Sequence, residues 1–421
     1  MKKINYLTEY KREKIISPIP ISFYKNGYCE EKEGQIVFKI VGFLISEKEA
    51  FVIFPKGINK SDNTIENQKK AQTLFQTLIK YNKNSVMGRQ INFGENNKHT
   101  NFLSLINWIV NDYKKNGLIQ KQFTKKEING RSKTNWSKTI KETTPYVIKN
   151  QVFYLDTVNI TTLKNLNNEL TAVHYSILKL IEEEYGWLLN IKIHEPPFFL
   201  NQNLSFDRMK HILHKALRVT FNQKEIILYK NLIEYLDHLS KAEGRNKFSF
   251  LHTQYFQYVW ETVCKFLFEH DQSLQTLIPN PYWYVEGEER NSEQIPDILT
   301  KDSADNLFVI DAKYYRPYDG IDRLPGWKDI VKQLFYAKSI DTYKIRKMYN
   351  IFVFPSDKKR DDSHIFEHGY ASVKGKESEL GKIISFELNT FWALNCYIQN
   401  EKKNSKRQLI NILRGLQIVK T

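Results

Sequence analysis

The chain has 421 residues, 63 Lys and Arg against 47 Asp and Glu, a formal net charge of +16 and a pI near 9.3. Hydrophobic residues make up 41% and aromatics 14%, which excludes a globally disordered chain and leaves room for two or three packed domains. There is no apolar run of the roughly 18 residues a membrane-spanning helix needs, and three widely spaced cysteines (Cys29, Cys264, Cys396) exclude a disulfide framework or a clustered zinc site.

So basic a balance fits a polyanion, either nucleic acid or an anionic surface, although a Lys-, Asn- and Ile-rich composition also follows from AT-rich coding DNA. The opening run MKKINYLTEYKREK has no apolar core behind it, so no secretory signal, no membrane partner and a cytoplasmic location are expected.

Residues 1–100 read as an α+β module. QIVFKIVGFLI (35–45) and AFVIFP (50–55) flank the polar SEKE and predict a hairpin. A helix is predicted over 64–80, where Ala71, Leu74, Phe75, Leu78 and Ile79 recur at helical spacing.

Residues 101–158 form a basic segment and a winged-helix candidate. Phe102, Leu103, Leu105, Ile106, Ile109 and Val110 predict a helix, and the strand-like PYVIKN and QVFYLD follow a basic tract. Helices and then a β-ribbon is the winged-helix order, with 134–142 as the candidate recognition helix. Between 111 and 150 there are ten Lys and Arg against three Asp and Glu. Lys125, Lys126, Arg131, Lys133 and Lys138 are the candidate DNA contacts. The competing readings are a solvated basic helix beside a structural hairpin, or contact with a protein partner.

Residues 159–247 are expected to be mainly helical, with amphipathic patterns at 163–189 and 226–239 and a break at HEPPFFL (194–200). Packing or partner contact is the expected use of this region.

The chemistry lies in 248–421. YFQYVWETVCKFLF (255–268) predicts an apolar helix with one acid, Glu261. PYWYVEG, QIPDILT and NLFVIDAKYY predict three strands, 327–340 a helix and MYNIFVFPSD a buried strand, giving the order αβββαβ. Asp311 and Lys313 are two apart on a strand, so both point to one face. Charged groups on so apolar a strand are expensive to desolvate unless they bind a metal or each other. Asp297 and Asp311, from adjacent strands, suit a hard cation such as Mg²⁺, with Mn²⁺ as a substitute. Lys313 would orient or help deprotonate a water bound to it and offset phosphate charge. A structural ion-pair cluster is the alternative. Glu286, Glu288 and Glu289 read as a solvated loop. Tyr314, Tyr315 and Arg316 would touch the DNA backbone or pack.

Pro296-Asp297, thirteen residues, then Asp311-Ala312-Lys313 resembles the PD-(D/E)xK nuclease signature, and αβββαβ is that superfamily's core. The resemblance implies Glu261 as a third metal-binding acid, and Gln333 and Tyr336 as the Gln and Tyr of the RecB-like branch. Their spacing here is QxxY instead of QxxxY. The run IDAKYYRP is similar to the corresponding strand of McrC-like nuclease subunits. The chain as a whole, including VIFPKG and NWSKTI, resembles the LlaJI restriction endonuclease family. That implies a mixed α+β nuclease cutting double-stranded DNA in restriction, with a separate McrB-like AAA+ GTPase partner. GYASVKGKES (369–378) misses the Walker A spacing, so nucleotide binding is expected on another chain. One site cuts one strand, so a homodimer or a second binding event is expected for a double-strand cut. The alternatives are a stand-alone type II enzyme and a non-catalytic DNA-binding or assembly subunit. The basic, amphipathic 401–421 would cover the domain or meet DNA.

Overall fold

The computed structural model describes residues 2–14, 19, 21–46, 48–84, 91–92, 102–165, 168–194, 204–242, 249–320, 323–340, 345–359, 363–402 and 405–418. The chain is mixed α+β and divides into two compact units. One unit combines 1–98 with 247–421, and the other is the inserted stretch 99–246. The four sequence segments therefore fall in pairs, with the first and last together. No described helix is long and apolar enough to cross a membrane.

The first unit begins with β1 (Lys3–Thr8), β2 (Glu13–Lys14), α1 (Ile21–Lys25), β3 (Cys29–Lys32), β4 (Gln35–Phe38), β5 (Val41–Ile45), β6 (Glu49–Phe54), α2 (Thr64–Asn84) and β7 (Ile91–Asn92). The expected hairpin is β5–β6, paired from Gly42–Ile53 to Ile45–Ala50.

The inserted unit holds α3 (Phe102–Asn116), β8 (Lys121–Ile128), α4 (Trp136–Glu142), β9 (Pro145–Ile148), β10 (Gln151–Tyr154), β11 (Val158–Asn165), α5 (Glu169–Leu189), α6 (Phe206–Val219) and α7 (Gln223–Ala242). Two expectations change here. The basic tract opens as a strand: β8 pairs with β11 along its length and encloses α4 and the β9–β10 hairpin. The other expected elements are present: α3 covers the helix expected from Phe102, α4, capped by the Asn135 side chain at Lys138 N (3.0 Å), falls on the candidate recognition helix 134–142, and the β9–β10 ribbon follows. The long helix starts at Glu169 instead of 163, because 163–165 complete β11 and Asn168 caps the helix. The chain break expected at 194–200 lies outside the described residues from 195 onward.

The chain then returns to the first unit with β12 (Ser249–Thr253), α8 (Phe256–Leu267), β13 (Tyr282–Val285), β14 (Glu288–Asn291), β15 (Ile298–Lys301), β16 (Asn306–Ala312), α9 (Trp327–Ser339), β17 (Lys347–Ser356), β18 (Ile365–Ala371), α10 (Glu377–Leu380), β19 (Ile383–Asn389), α11 (Thr390–Gln399) and α12 (Ser405–Ile418). β12 inserts beside β5 in the N-terminal sheet, whose order is β1-β6-β5-β12-β7. One sheet thus joins residues some two hundred positions apart, which makes the N-terminal segment part of this unit.

The second sheet has the order β15-β16-β17-β19-β18, with β16, β17 and β19 parallel and the edge strands antiparallel. The first expected strand, 281–287, lies outside it. Glu286 and Gly287 both take positive φ (52° and 85°) and fold Tyr282–Val285 back on Glu288–Asn291 as an exposed hairpin. Two strands, not three, precede α9. α8 follows its pattern: Phe256, Val259, Trp260, Val263, Cys264 and Leu267 are all buried at i, i+3, i+4 spacing. α12 lies against β18, with Leu409 and Leu413 buried, so this part of the basic tail covers the domain.

His252 on β12 sets an acid limit on the first unit. It is fully buried against Tyr28 (4.4 Å between ring centres), and neither ring nitrogen has a hydrogen-bond partner. Burial pushes its pKa down to about 4. The unfolded chain binds a proton below about pH 6.5 that the fold refuses until about pH 4. Stability therefore falls as pH drops through that window, by about 2 kcal/mol at pH 5 for this residue. His252→Phe is expected to shrink the loss of melting temperature between pH 7 and pH 5. An unchanged loss would exclude His252 as its source.

Candidate active site

The site follows from the register of two antiparallel strands. Ile298 pairs with Ile310, so the residue before Ile298 and the residue after Ile310 stand opposite each other. These are Asp297 and Asp311. Asp297 Oδ2 accepts the backbone N–H of Ala312 at 3.0 Å, which fixes that carboxylate at the strand end. Period two puts Leu307, Val309, Asp311 and Lys313 on one face of the strand. Leu307 and Val309 pack with Tyr336 of α9 and with Ile340 just past its end. The same face turns from apolar to charged where the first turns of α9 begin.

Lys313 and Asp311 meet as their spacing predicts, with Nζ 2.8 Å from Oδ2. Lys313 also reaches Asp329 Oδ1 on α9 at 2.7 Å, and Tyr315 Oη donates to Asp329 Oδ2 at 3.3 Å. Burial alone would lower the Lys313 pKa. The charges and hydrogen bonds of Asp311 and Asp329 outweigh it and hold Lys313 above the ordinary lysine value, as a cation. Asp297 moves the other way. Burial, then the hydrogen bond and charge of Asp311, then the charge of Glu261, push its carboxyl well above the usual carboxylate range.

Asp297, Asp311, Lys313 and Glu261 line one open cavity of about 440 Å³. Glu261 comes from α8 and is paired with Lys265 one turn on. Among the described residues, no three His, Cys, Asp or Glu side chains stand together as a group able to hold a metal ion. The donor set is instead a facing carboxylate pair, with Glu261 on the same wall. The two carboxylates are close enough to resist double ionisation, and that closeness adds to burial in raising Asp297. An oxygen-only pair of this kind fits Mg²⁺ or Mn²⁺, and Asp297 and Asp311 are the residues that could hold it.

Gln333 is not brought to this cavity. It is fully buried, and its amide nitrogen donates to the backbone oxygens of Val309 (3.1 Å) and Ile351 (3.5 Å). The site role that the RecB-like pattern implied for Gln333 is therefore replaced by a tie between β16 and β17. Tyr336 is buried too, with Oη donating to Ile295 O at 3.2 Å. Lys332, one residue before Gln333, is the α9 side chain that lines the cavity. Glu286, Glu288 and Glu289 are exposed on the β13–β14 hairpin.

Sequence reasoning missed Asp329, Lys332, Gln254, Gln257, Glu9, Tyr10 and Lys56. Asp329 was findable, since it lies four positions before Gln333 on the predicted helix. Glu9 and Tyr10 carry no local signal, and Lys56 lies in the VIFPKG run without anything there that points to this cavity.

Lys125, Lys126, Arg131, Lys133 and Lys138 are all exposed, and all belong to the inserted unit. Lys125 pairs with Glu127 at 2.6 Å and Lys126 with Glu142. Such exposed pairs are worth at most about 1 kcal/mol and yield readily to another anion.

A model of the LlaJI restriction endonuclease family matches residues 40–373. The type II restriction enzyme BsuMI component YdjA of Bacillus subtilis (strain 168) is 26% identical over 425 residues, covering 93% of this chain and 88% of that protein. Among solved structures, a half-complex from a tetradecameric assembly of Thermococcus gammatolerans McrB AAA+ hexamers with bound McrC is similar at a TM-score of 0.38 and 15% identity, over 97% of this chain and 100% of that one. The Thermococcus gammatolerans McrBC complex matches at a TM-score of 0.18 and 14% identity, over 58% and 89%. Neither structural likeness is close enough to fix the fold.

Proposed function

The chain belongs to the LlaJI restriction endonuclease family, and from that premise we propose that its carboxylate cavity is a Mg²⁺-dependent DNA-cleaving site of PD-(D/E)xK type. The observation that carries the reading is the convergence of Asp297, Asp311 and Lys313 from two paired strands at the mouth of one cavity.

Asp297 and Asp311 would hold the cation, with Glu261 on the same wall as a further oxygen donor. When bound, the cation supplies Lewis acidity and a more acidic water. Lys313, kept charged between Asp311 and Asp329, holds Asp311 in place and offers positive charge to the phosphodiester. Its role here is orientation and charge. The Ala312 N–H fixes Asp297 from the backbone.

The proposed substrate is double-stranded DNA, with a McrB-like AAA+ GTPase as partner. The IDAKYYRP run supports the partner through its resemblance to McrC-like subunits. So does the name of the Bacillus subtilis relative, which is a component of its enzyme. Cleavage of plasmid DNA under Mg²⁺ titration, with and without that partner and GTP, tests the reading. Cutting that needs no divalent cation would overturn the metal assignment, and specific cutting by the isolated chain without nucleotide would overturn the partner.

The basic segment is proposed as a DNA-binding surface in the same system. Neutralising Lys125, Lys126, Arg131, Lys133 and Lys138 together should weaken DNA binding and flatten its salt dependence, by about 0.9 in log–log slope for each phosphate no longer neutralised. An unchanged slope returns these residues to a structural role.

A further inference from the structure

Three lysines line the carboxylate cavity, and their partners differ. Lys313 is matched by two carboxylates, Asp311 and Asp329. Lys332, on α9, is exposed. Lys56 comes from the N-terminal sheet and is half-buried. Among the described residues it has no carboxylate within ion-pair distance.

The route that delivers Lys56 is well defined. β1 and β6 are parallel neighbours ending together at Thr8 and Phe54, and the Glu9 N–H donates to Phe54 O at 2.9 Å. The chain leaves both strands at the same end, so Glu9, Tyr10 and Lys56 emerge side by side. They meet the residues just after Lys313. Tyr314 Oη donates to Glu9 Oε2 at 2.7 Å and accepts the Lys56 backbone N–H at 2.8 Å. Arg316 Nη2 donates to Glu9 O at 2.6 Å. The Lys56 ammonium donates to Tyr314 O at 3.0 Å and lies 4.5 Å from the Tyr314 ring centre and 5.3 Å from that of Tyr10.

We propose that Lys56 is a phosphate-binding residue of the DNA-cleaving site, held over the cavity by the N-terminal sheet. An ammonium has three donors, and one is spent on the Tyr314 carbonyl. Half-burying such a group is costly, and the one carboxylate that acts on it, Glu9, does so from beyond ion-pair distance while accepting the Tyr314 hydroxyl. The arrangement is stable in use if an anion arrives, and the anion this cavity is read to receive is a phosphodiester. Glu9 and Tyr314 are positioning residues: they clamp the segment after Lys313 to the strand end that carries Lys56. The cavity is then a composite, with its facing carboxylate pair from the second sheet and one of its cations from the first. This rests on the DNA-cleaving reading above.

The test uses the full chain with the other components of its restriction system, Mg²⁺, and plasmid DNA at salt concentrations from about 50 to 200 mM. Wild type is compared with Lys56→Gln, Lys56→Arg and Asp311→Asn. Gln keeps a donor for the Tyr314 carbonyl while removing the charge. Lys56→Gln is expected to raise KM about tenfold, leave kcat nearly unchanged, and flatten the salt dependence by about 0.9, the value of one neutralised phosphate. Lys56→Arg should restore both. Should Lys56 be only a structural pin, Lys56→Gln would keep the wild-type salt slope and KM, and that overturns the proposal. A Lys56→Gln protein with a lowered melting temperature and no KM change has the same meaning. Retained cutting by Asp311→Asn overturns the underlying reading instead, whatever Lys56 does.

Discussion

Asp311→Asn should abolish Mg²⁺-dependent DNA cleavage, by roughly three orders of magnitude or more, the scale on which electrostatic groups at a reacting centre act. Asn is nearly the same size as Asp and leaves β16 unaltered. It removes one of the two facing carboxylates and half of the matched charge around Lys313. Asp329 still pairs with Lys313, and the Ala312 N–H still holds Asp297. The fold and the DNA affinity of the exposed basic segment should therefore survive. Cleavage assays beside a melting curve and a DNA-binding titration separate these effects. A variant that cuts at near the wild-type rate would remove Asp311 from the chemistry.

Gly57→Ala should cost about 2 to 5 kcal/mol and reduce cleavage with it. Gly57 has φ +78°, which disfavours an L side chain by about 1 to 2 kcal/mol. A Cβ there would lie 2.2 Å from Thr390 Oγ1, 2.7 Å from Ser356 N and 2.9 Å from Pro355 C. Two of these are backbone atoms at the end of β17, and overpacking of this kind adds roughly 1 to 3 kcal/mol. The seam between the N-terminal turn and the second sheet must open, and Lys56 moves with it. Gly34→Ala is the control: its φ is +73°, but an added Cβ meets nothing within 4 Å. Urea unfolding of the two variants should show the larger loss at Gly57. Equal losses would mean that the seam is not tight.

The strand that carries Asp311 was legible because its signals are local. Period two placed Asp311 and Lys313 on one face, and the desolvation cost of charge on an apolar strand marked them as working residues. The pairing of Asp297 with Asp311 needed only the turn at 302–305 to bring two strands into antiparallel register. The hairpin at 281–291 was misread because Glu-Gly served as the reversing turn, where Asn-Gly or Asp-Gly is the stronger signal. Helix periodicity found α9 but not which of two neighbours faced the cavity. Lys332 and Gln333 are about 100° apart on a helix, and the family pattern favoured Gln333. Glu9 and Lys56 were out of reach for a different reason. They join Tyr314 across 305 and 258 residues, through a sheet that closes only when β12 returns to it. No spacing rule spans such a contact. In the basic segment the charge was plain, but the pairing of β8 with β11 depends on register over an intervening thirty residues.

Asp297 and Asp311 are proposed to hold a divalent cation. Titration of Mn²⁺ into the full chain, followed by its paramagnetic resonance signal, measures this without reference to cleavage. Wild type is predicted to bind Mn²⁺ at this site in competition with Mg²⁺, and Asp297→Asn and Asp311→Asn are each predicted to lose that binding while keeping the wild-type melting profile near pH 7. Identical Mn²⁺ binding by wild type and both variants would contradict the account.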